Sequence, residues 1–181
     1  MTAYGRGDQA AFKQLVSKYW RPVFTFLRRM LHTHETAEDV LAETFLKLHR
    51  SAPEYRPTAR FSTFLYTIAY REAITVIRFQ NRRGKVLVES GGDDDASTHG
   101  VERQTPEGQV ANQELLARVD LVLEQIPVAQ KAAFLMFYRH GSSIQEIAEV
   151  LELQPGSVRA YLTHARAALR RELGESPPDQ E

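Results

Sequence analysis

The stretch SIQEIAEVLELQPGSVRAYL, residues 143–162, decides how this chain is read. Ser143 with Glu146 three residues later forms a capping box: the hydroxyl accepts from an amide in the first turn, and the carboxylate reaches back to the amide of the cap. The helix it opens spans 144–151, and Ala148 is small where a second helix must cross closely. Pro155 suits the start of that second helix, because its missing N–H would be unpaired there anyway. Ile147, Leu151, Leu153, Val158 and Leu162 fill the angle between the two. This is helix-turn-helix spacing, and it predicts that Ser157, Arg159, Tyr161, His164 and Arg166 point away from the core, toward a DNA major groove. Glu152 stands where such a turn often uses glycine, so a left-handed residue there is slightly strained. An ordinary helical hairpin is the other reading of the same spacing.

Outward from this motif the chain stays helical. Thr105-Pro106-Glu107 combines a cap with a proline at the first helical position. Helices are expected at 106–125, 128–139 and 156–172, with Pro177-Pro178 ending the ordered chain. Upstream, Phe12, Leu15, Val16, Tyr19, Val23, Leu27, Met30 and Leu31 recur at three-to-four spacing, so 9–31 reads as one amphipathic helix capped by Asp8. Pro22 lies inside it and is expected to kink or break it. Thr36 with Asp39 predicts a second helix through Arg50, Pro53 and Pro57 bracket a loop, and a third helix follows over 62–82. Between Gly84 and Gln104 the periodicity fails: glycines and the run Asp93-Asp94-Asp95 leave too little apolar surface to offset chain entropy. No strand alternation persists. The expected fold is all-α, two helical lobes joined by a flexible acidic linker: residues 1–83, a linker over 84–105, a second lobe over 106–173 and a disordered tail over 174–181.

The chain has 181 residues, 43% hydrophobic, with 23 Lys+Arg against 23 Asp+Glu and no cysteine. Without cysteine there is no disulfide framework, no thiolate zinc site and no cysteine nucleophile. No apolar run reaches the ~18 residues of a membrane span, and the opening residues lack the apolar core of a signal peptide, so a cytoplasmic location is expected. The zero net charge conceals an asymmetry: residues 1–83 carry 14 Lys/Arg against 7 Asp/Glu, whereas residues 114–181 carry 7 against 10. A basic first half suits a polyanion or a solvated surface equally.

The third helix mixes Phe61, Phe64, Tyr66, Tyr70 and Phe79 with Arg60, Arg71, Arg78, Arg82 and Arg83. Single-stranded DNA requires that interleaving, because bases stack on rings while guanidinium groups pair with phosphates. Aromatic residues at helical spacing also build cores. Tyr66 and Tyr70, on the less apolar flank, are the expected stacking residues. His32, His34 and Glu35 lack metalloprotease spacing, and no phosphate loop or catalytic triad stands out, so no active site, metal or cofactor is expected.

Taken together, the two lobes resemble the extracytoplasmic-function group of bacterial RNA polymerase sigma factors. The resemblance rests on Gly7-Asp8 through Tyr19, Ala37-Glu38-Asp39-Val40 through Leu46, and Phe61 through Ala69 for that group's second region. For its fourth region it rests on Leu123 through Pro127, Gly141, Glu146-Ile147-Ala148 and Gly156 through Arg166. It implies that Asp39, Glu43 and Leu46 dock on core RNA polymerase, and paired acids on one helix suit a basic partner surface in any case. It implies that the loop from Ala52 to Arg60 and the helix after it read and open the minus-ten element. The second lobe would read the minus-thirty-five element of promoter DNA, and the acidic linker would thread the RNA channel. The linker also permits an anti-sigma factor to clamp the lobes together. Ala42, Phe64, Arg71 and Thr75 depart from the usual Gln, Trp, Asn and Asp. Lys131 replaces a common Arg, and Tyr161 and His164 replace commonly basic positions, which weakens phosphate attraction. Two rivals share this fold: a stand-alone helix-turn-helix regulator, and a sigma-like adaptor with reduced promoter binding.

Overall fold

The computed structural model describes residues 1–5, 7–83 and 106–174, with side chains left out at Arg83 and over 106–114. The expected linker over 84–105 and the tail beyond Gly174 lie outside the described residues. Every described element is helical: α1 (Thr2–Gly5), α2 (Gln9–Met30), α3 (His34–Arg50), a short 3-10 turn (Ala52–Glu54), α4 (Phe61–Arg83), α5 (Pro106–Gln125), α6 (Val128–His140), α7 (Ile144–Leu151) and α8 (Pro155–Leu173).

The first lobe packs α2, α3 and α4 around Val23, Phe26, Leu27, Leu41, Leu48, Leu65 and Ala69. Each large side chain so buried contributes about 1.5–3 kcal/mol relative to exposure. Asp8 caps α2 by accepting from the amides of Ala10 and Ala11. Pro22 does not break that helix. It sits on the exposed side, while Val23, Phe26 and Leu27 hold the next turn in the core. The cap of α3 is Thr33 rather than Thr36: its hydroxyl accepts from the Thr36 amide at 3.2 Å, so the helix starts a turn earlier than expected.

The second lobe folds α5, α6, α7 and α8 around Leu123, Leu135, Met136, Ile147, Val158 and Leu162. Gly141 ends α6 at φ 62°, a left-handed conformation that costs glycine nothing. Gly174, placed in the tail by the sequence reading, caps α8 in the same way at φ 75°. The two lobes are not independent cores. α7 packs on α4 and α6 on α2, so one apolar cluster runs from Val23 to Leu162.

Candidate nucleic-acid interface

α4 presents a cationic, aromatic face beside a short loop. Arg60, Arg71, Arg78 and Arg82 are exposed along it, and Arg83, which ends the helix, lies outside the described side chains. Phe61 is half-buried, its ring edge-on to Tyr19 at 5.1 Å between centroids. Phe64 meets Tyr55 at 5.1 Å, and Tyr70 is half-buried. Phe79, grouped with these rings by sequence, is exposed. Tyr66 corrects the expectation. It is only 5% exposed, its ring edge-on to Phe26 and its hydroxyl 2.9 Å from His140 Nδ1. Burial pushes its phenol pKa well up. The flank that looked polar from sequence is covered by α6 and α7.

Between the loop and α4 lies a cleft of about 150 Å³ lined by Tyr55, Arg56, Thr58, Ala59, Thr63, Phe64 and Thr67, with Glu149 of α7 at its edge. Thr63 is buried, and its hydroxyl has no partner among the described residues. A buried hydroxyl without a partner costs free energy, and this one belongs to a residue of the cleft wall. Tyr55, Arg56 and Thr63 were not singled out from sequence. An aromatic–cation pair set between Pro53 and Pro57 was the available signal.

In the second lobe the turn has the expected geometry. Ser143 and Glu146 satisfy each other's amides in a complete capping box, and Glu152 is the one described non-glycine residue at positive φ, 56°. The Ser143 amide is the main reason the Glu146 carboxyl titrates below its usual range. α8 buries Val158, Leu162, Ala165 and Leu169. At 100° per residue, the five expected contact residues fall on two flanks: Ser157, Tyr161 and His164 on one, Arg159 and Arg166 on the other. Gly156, Ala160, Thr163 and Ala167 form a small-residue ridge between them, all exposed. Sequence reasoning missed Thr163. Tyr161 is half-buried against the core rather than turned away from it.

A third surface lies on α3. Asp39, Ala42, Glu43 and Leu46 share one face at i, i+3, i+4, i+7 spacing. Asp39 is exposed, Glu43 lies 3.7 Å from Arg50, and Leu46 leaves 48% of its surface to solvent. No group of histidines and carboxylates among the described residues is placed to hold a metal.

Comparison with known proteins gives the same two-part division. The family description Sigma-70 region 2 matches residues 15–83, and Sigma-70, region 4 matches residues 116–169. The ECF RNA polymerase sigma-E factor of Haemophilus influenzae is 31% identical over 171 residues, covering 93% of this chain and 90% of that one. ECF RNA polymerase sigma factor SigW of Bacillus subtilis is 27% identical over 93% of this chain and 91% of that one. Among solved structures, the sigma factor RpoE of Bartonella quintana in complex with the anti-sigma factor NepR superposes with a TM-score of 0.73 at 19% identity, covering 92% of this chain and 99% of that one. CnrH in complex with the cytosolic domain of CnrY gives 0.68 at 22%, covering 96% and 94%. The match spans both lobes, and it favours neither the stand-alone regulator nor the sigma-like adaptor with reduced promoter binding. The chain belongs to the extracytoplasmic-function group of sigma factors, proteins that direct RNA polymerase to specific promoters to initiate transcription.

Proposed function

We propose that the two lobes divide promoter recognition between them, residues 1–83 docking on core polymerase and opening the minus-ten element, and residues 106–173 reading the minus-thirty-five element as duplex. The observation that carries this is the α4 face, where exposed arginines flank rings and an aromatic cleft holds an unpartnered hydroxyl. Opening a duplex means replacing lost base stacking, and rings beside guanidinium groups supply both stacking and phosphate pairing. Arg60, Phe61, Phe64, Tyr70, Arg71, Arg78, Arg82 and Arg83 are the residues of this surface in our reading, with Tyr66 supporting it from beneath. Asp39, Glu43 and Leu46 form the polymerase-docking face: two carboxylates beside an exposed leucine suit a basic surface with an apolar centre. On α8, Arg159 and Arg166 hold phosphates, while Ser157, Tyr161 and His164 reach base edges along the other flank.

None of these steps breaks a covalent bond in the sigma factor's hands, so the protein works by binding, and a cytoplasmic location follows from that task. An anti-sigma factor is a third partner in this reading, since the Bartonella quintana sigma chain of like fold is held by one. The test is run-off transcription with purified core polymerase on genomic DNA. Discrete start sites sharing two upstream elements are expected. Core polymerase that starts at the same sites with and without the protein would refute it.

A further inference from the structure

Among the described residues, the arginine–carboxylate pairs that cross between the lobes share one polarity, the guanidinium on the first lobe and the carboxylate on the second, and a histidine–carboxylate pair lies the same way round. Arg29 bonds Asp120, His32 Nδ1 lies 3.6 Å from Glu124, Arg60 Nη1 lies 3.2 Å from Glu146, and Arg71 bonds Glu152. This is also the polarity of a protein–DNA contact. We propose that α7 acts as a stand-in for nucleic acid within the chain, its Glu146, Glu149 and Glu152 covering the α4 face and holding the free protein closed. The inference rests on the reading of α4 as the DNA-opening surface.

The spacing explains why one short helix suffices. Glu146 and Glu149 share one side of α7, Glu152 caps its C-terminal end, and each reaches a different part of the α4 face. Glu146 takes Arg60 at the start of that helix. Glu149 closes the edge of the cleft formed by Tyr55, Thr63 and Phe64. Glu152 takes Arg71 nearly three turns further on. Glu152 does so from a left-handed backbone position, where glycine would serve the turn with less strain. A ring contact completes the closure: the His140 ring lies tilted against Tyr66 at 4.8 Å and meets Phe26 edge-on at 6.0 Å. Arg60, Arg71 and the cleft cannot hold these glutamates and a DNA strand at once. The closed form and the promoter-bound form therefore compete for the same groups, and loading onto promoter DNA requires α7 to lift from α4.

The chain contains no cysteine, so spin labels at Lys13→Cys and Arg170→Cys, both exposed, report the lobe-to-lobe distance in the full-length free protein by pulsed electron resonance. The variant Glu146→Gln with Glu149→Gln and Glu152→Gln removes the charges and keeps an acceptor for the Ser143 amide. Glu35→Gln with Glu38→Gln and Glu172→Gln makes the same change in net charge elsewhere. The first triple variant is expected to shift the distances longer and to bind a fluorescent oligo-dT strand at least tenfold more tightly than the parent, the second to do neither. Unchanged distances, or an equal gain in the control, would overturn the closure alone. Opening without any gain in oligo-dT binding would overturn the α4 surface itself, and with it the reading of α7 as a stand-in for nucleic acid.

Discussion

His140 sits at the seam of the molecule, against Tyr66 from α4, Phe26 from α2 and, along its own helix, Arg139. Burial, reinforced by the charge of Arg139, lowers its pKa from 6.5 to about 4. The folded state thus prefers the neutral ring, and its contribution is complete above pH 6.5. It is lost as pH falls toward 4, where the unfolded chain binds a proton that the folded chain refuses. A shift of that size corresponds to roughly 3 kcal/mol. Denaturant unfolding should therefore show stability falling between pH 6.5 and 4, and His140→Gln should flatten much of that slope. An identical slope in the variant would mean that other groups carry the acid sensitivity. Tyr66 shows what residue-by-residue reading of a sequence leaves out. Its position on α4 looked like a flank open to DNA because periodicity reports one helix at a time, and the ring that covers it comes from a residue 74 positions away.

At the scale of elements, the helix-turn-helix was legible almost completely. Its signals are local: a capping box, a small crossing residue and a proline at the first helical position, all within twenty residues. α2 and α3 were legible in kind but not in detail. Burial of Val23, Phe26 and Leu27 overrides the break expected at Pro22, and Thr33 and Thr36 compete as caps until the fold decides between them. The turn at Glu152 separates local stability from closure. Glu152→Gly removes a left-handed side chain worth about 1 kcal/mol of strain, while the exposed pair with Arg71 contributes at most a similar amount. Glu152→Gly should leave the unfolding midpoint unchanged or raise it by about 2–4 °C, yet lengthen the lobe-to-lobe distance. A midpoint several degrees lower would show that the Arg71 pair is structural rather than a removable latch. Ser143→Ala, by contrast, breaks the capping box and should cost about 1 kcal/mol in denaturant unfolding.

Across the whole molecule, charge is segregated between the lobes, and the α3 face proposed to dock on polymerase stands apart from the lobe seam. Asp39→Lys with Glu43→Lys should abolish binding to core polymerase while leaving helicity unchanged by circular dichroism, because both side chains lie at the surface of α3. Binding at normal affinity would move the docking face elsewhere. The division into two lobes was readable from the failure of periodicity after Arg83, but the shared core was not. Contacts between α4 and α7 join residues about 80 positions apart, and no local pattern encodes them.

The central claim is that the α4 face opens promoter DNA, and it is tested most directly by comparing two templates. Tyr70→Ala with Arg71→Ala removes one ring and one guanidinium from that face without unpacking Tyr66. Each stacked base is worth roughly 1–3 kcal/mol. Holoenzyme carrying the double variant should therefore transcribe a closed duplex promoter at least tenfold less than the parent, and recover most of that loss on a template with a pre-melted minus-ten bubble. Equal transcription by variant and parent on the closed duplex, or an equal loss on both templates, would contradict the account.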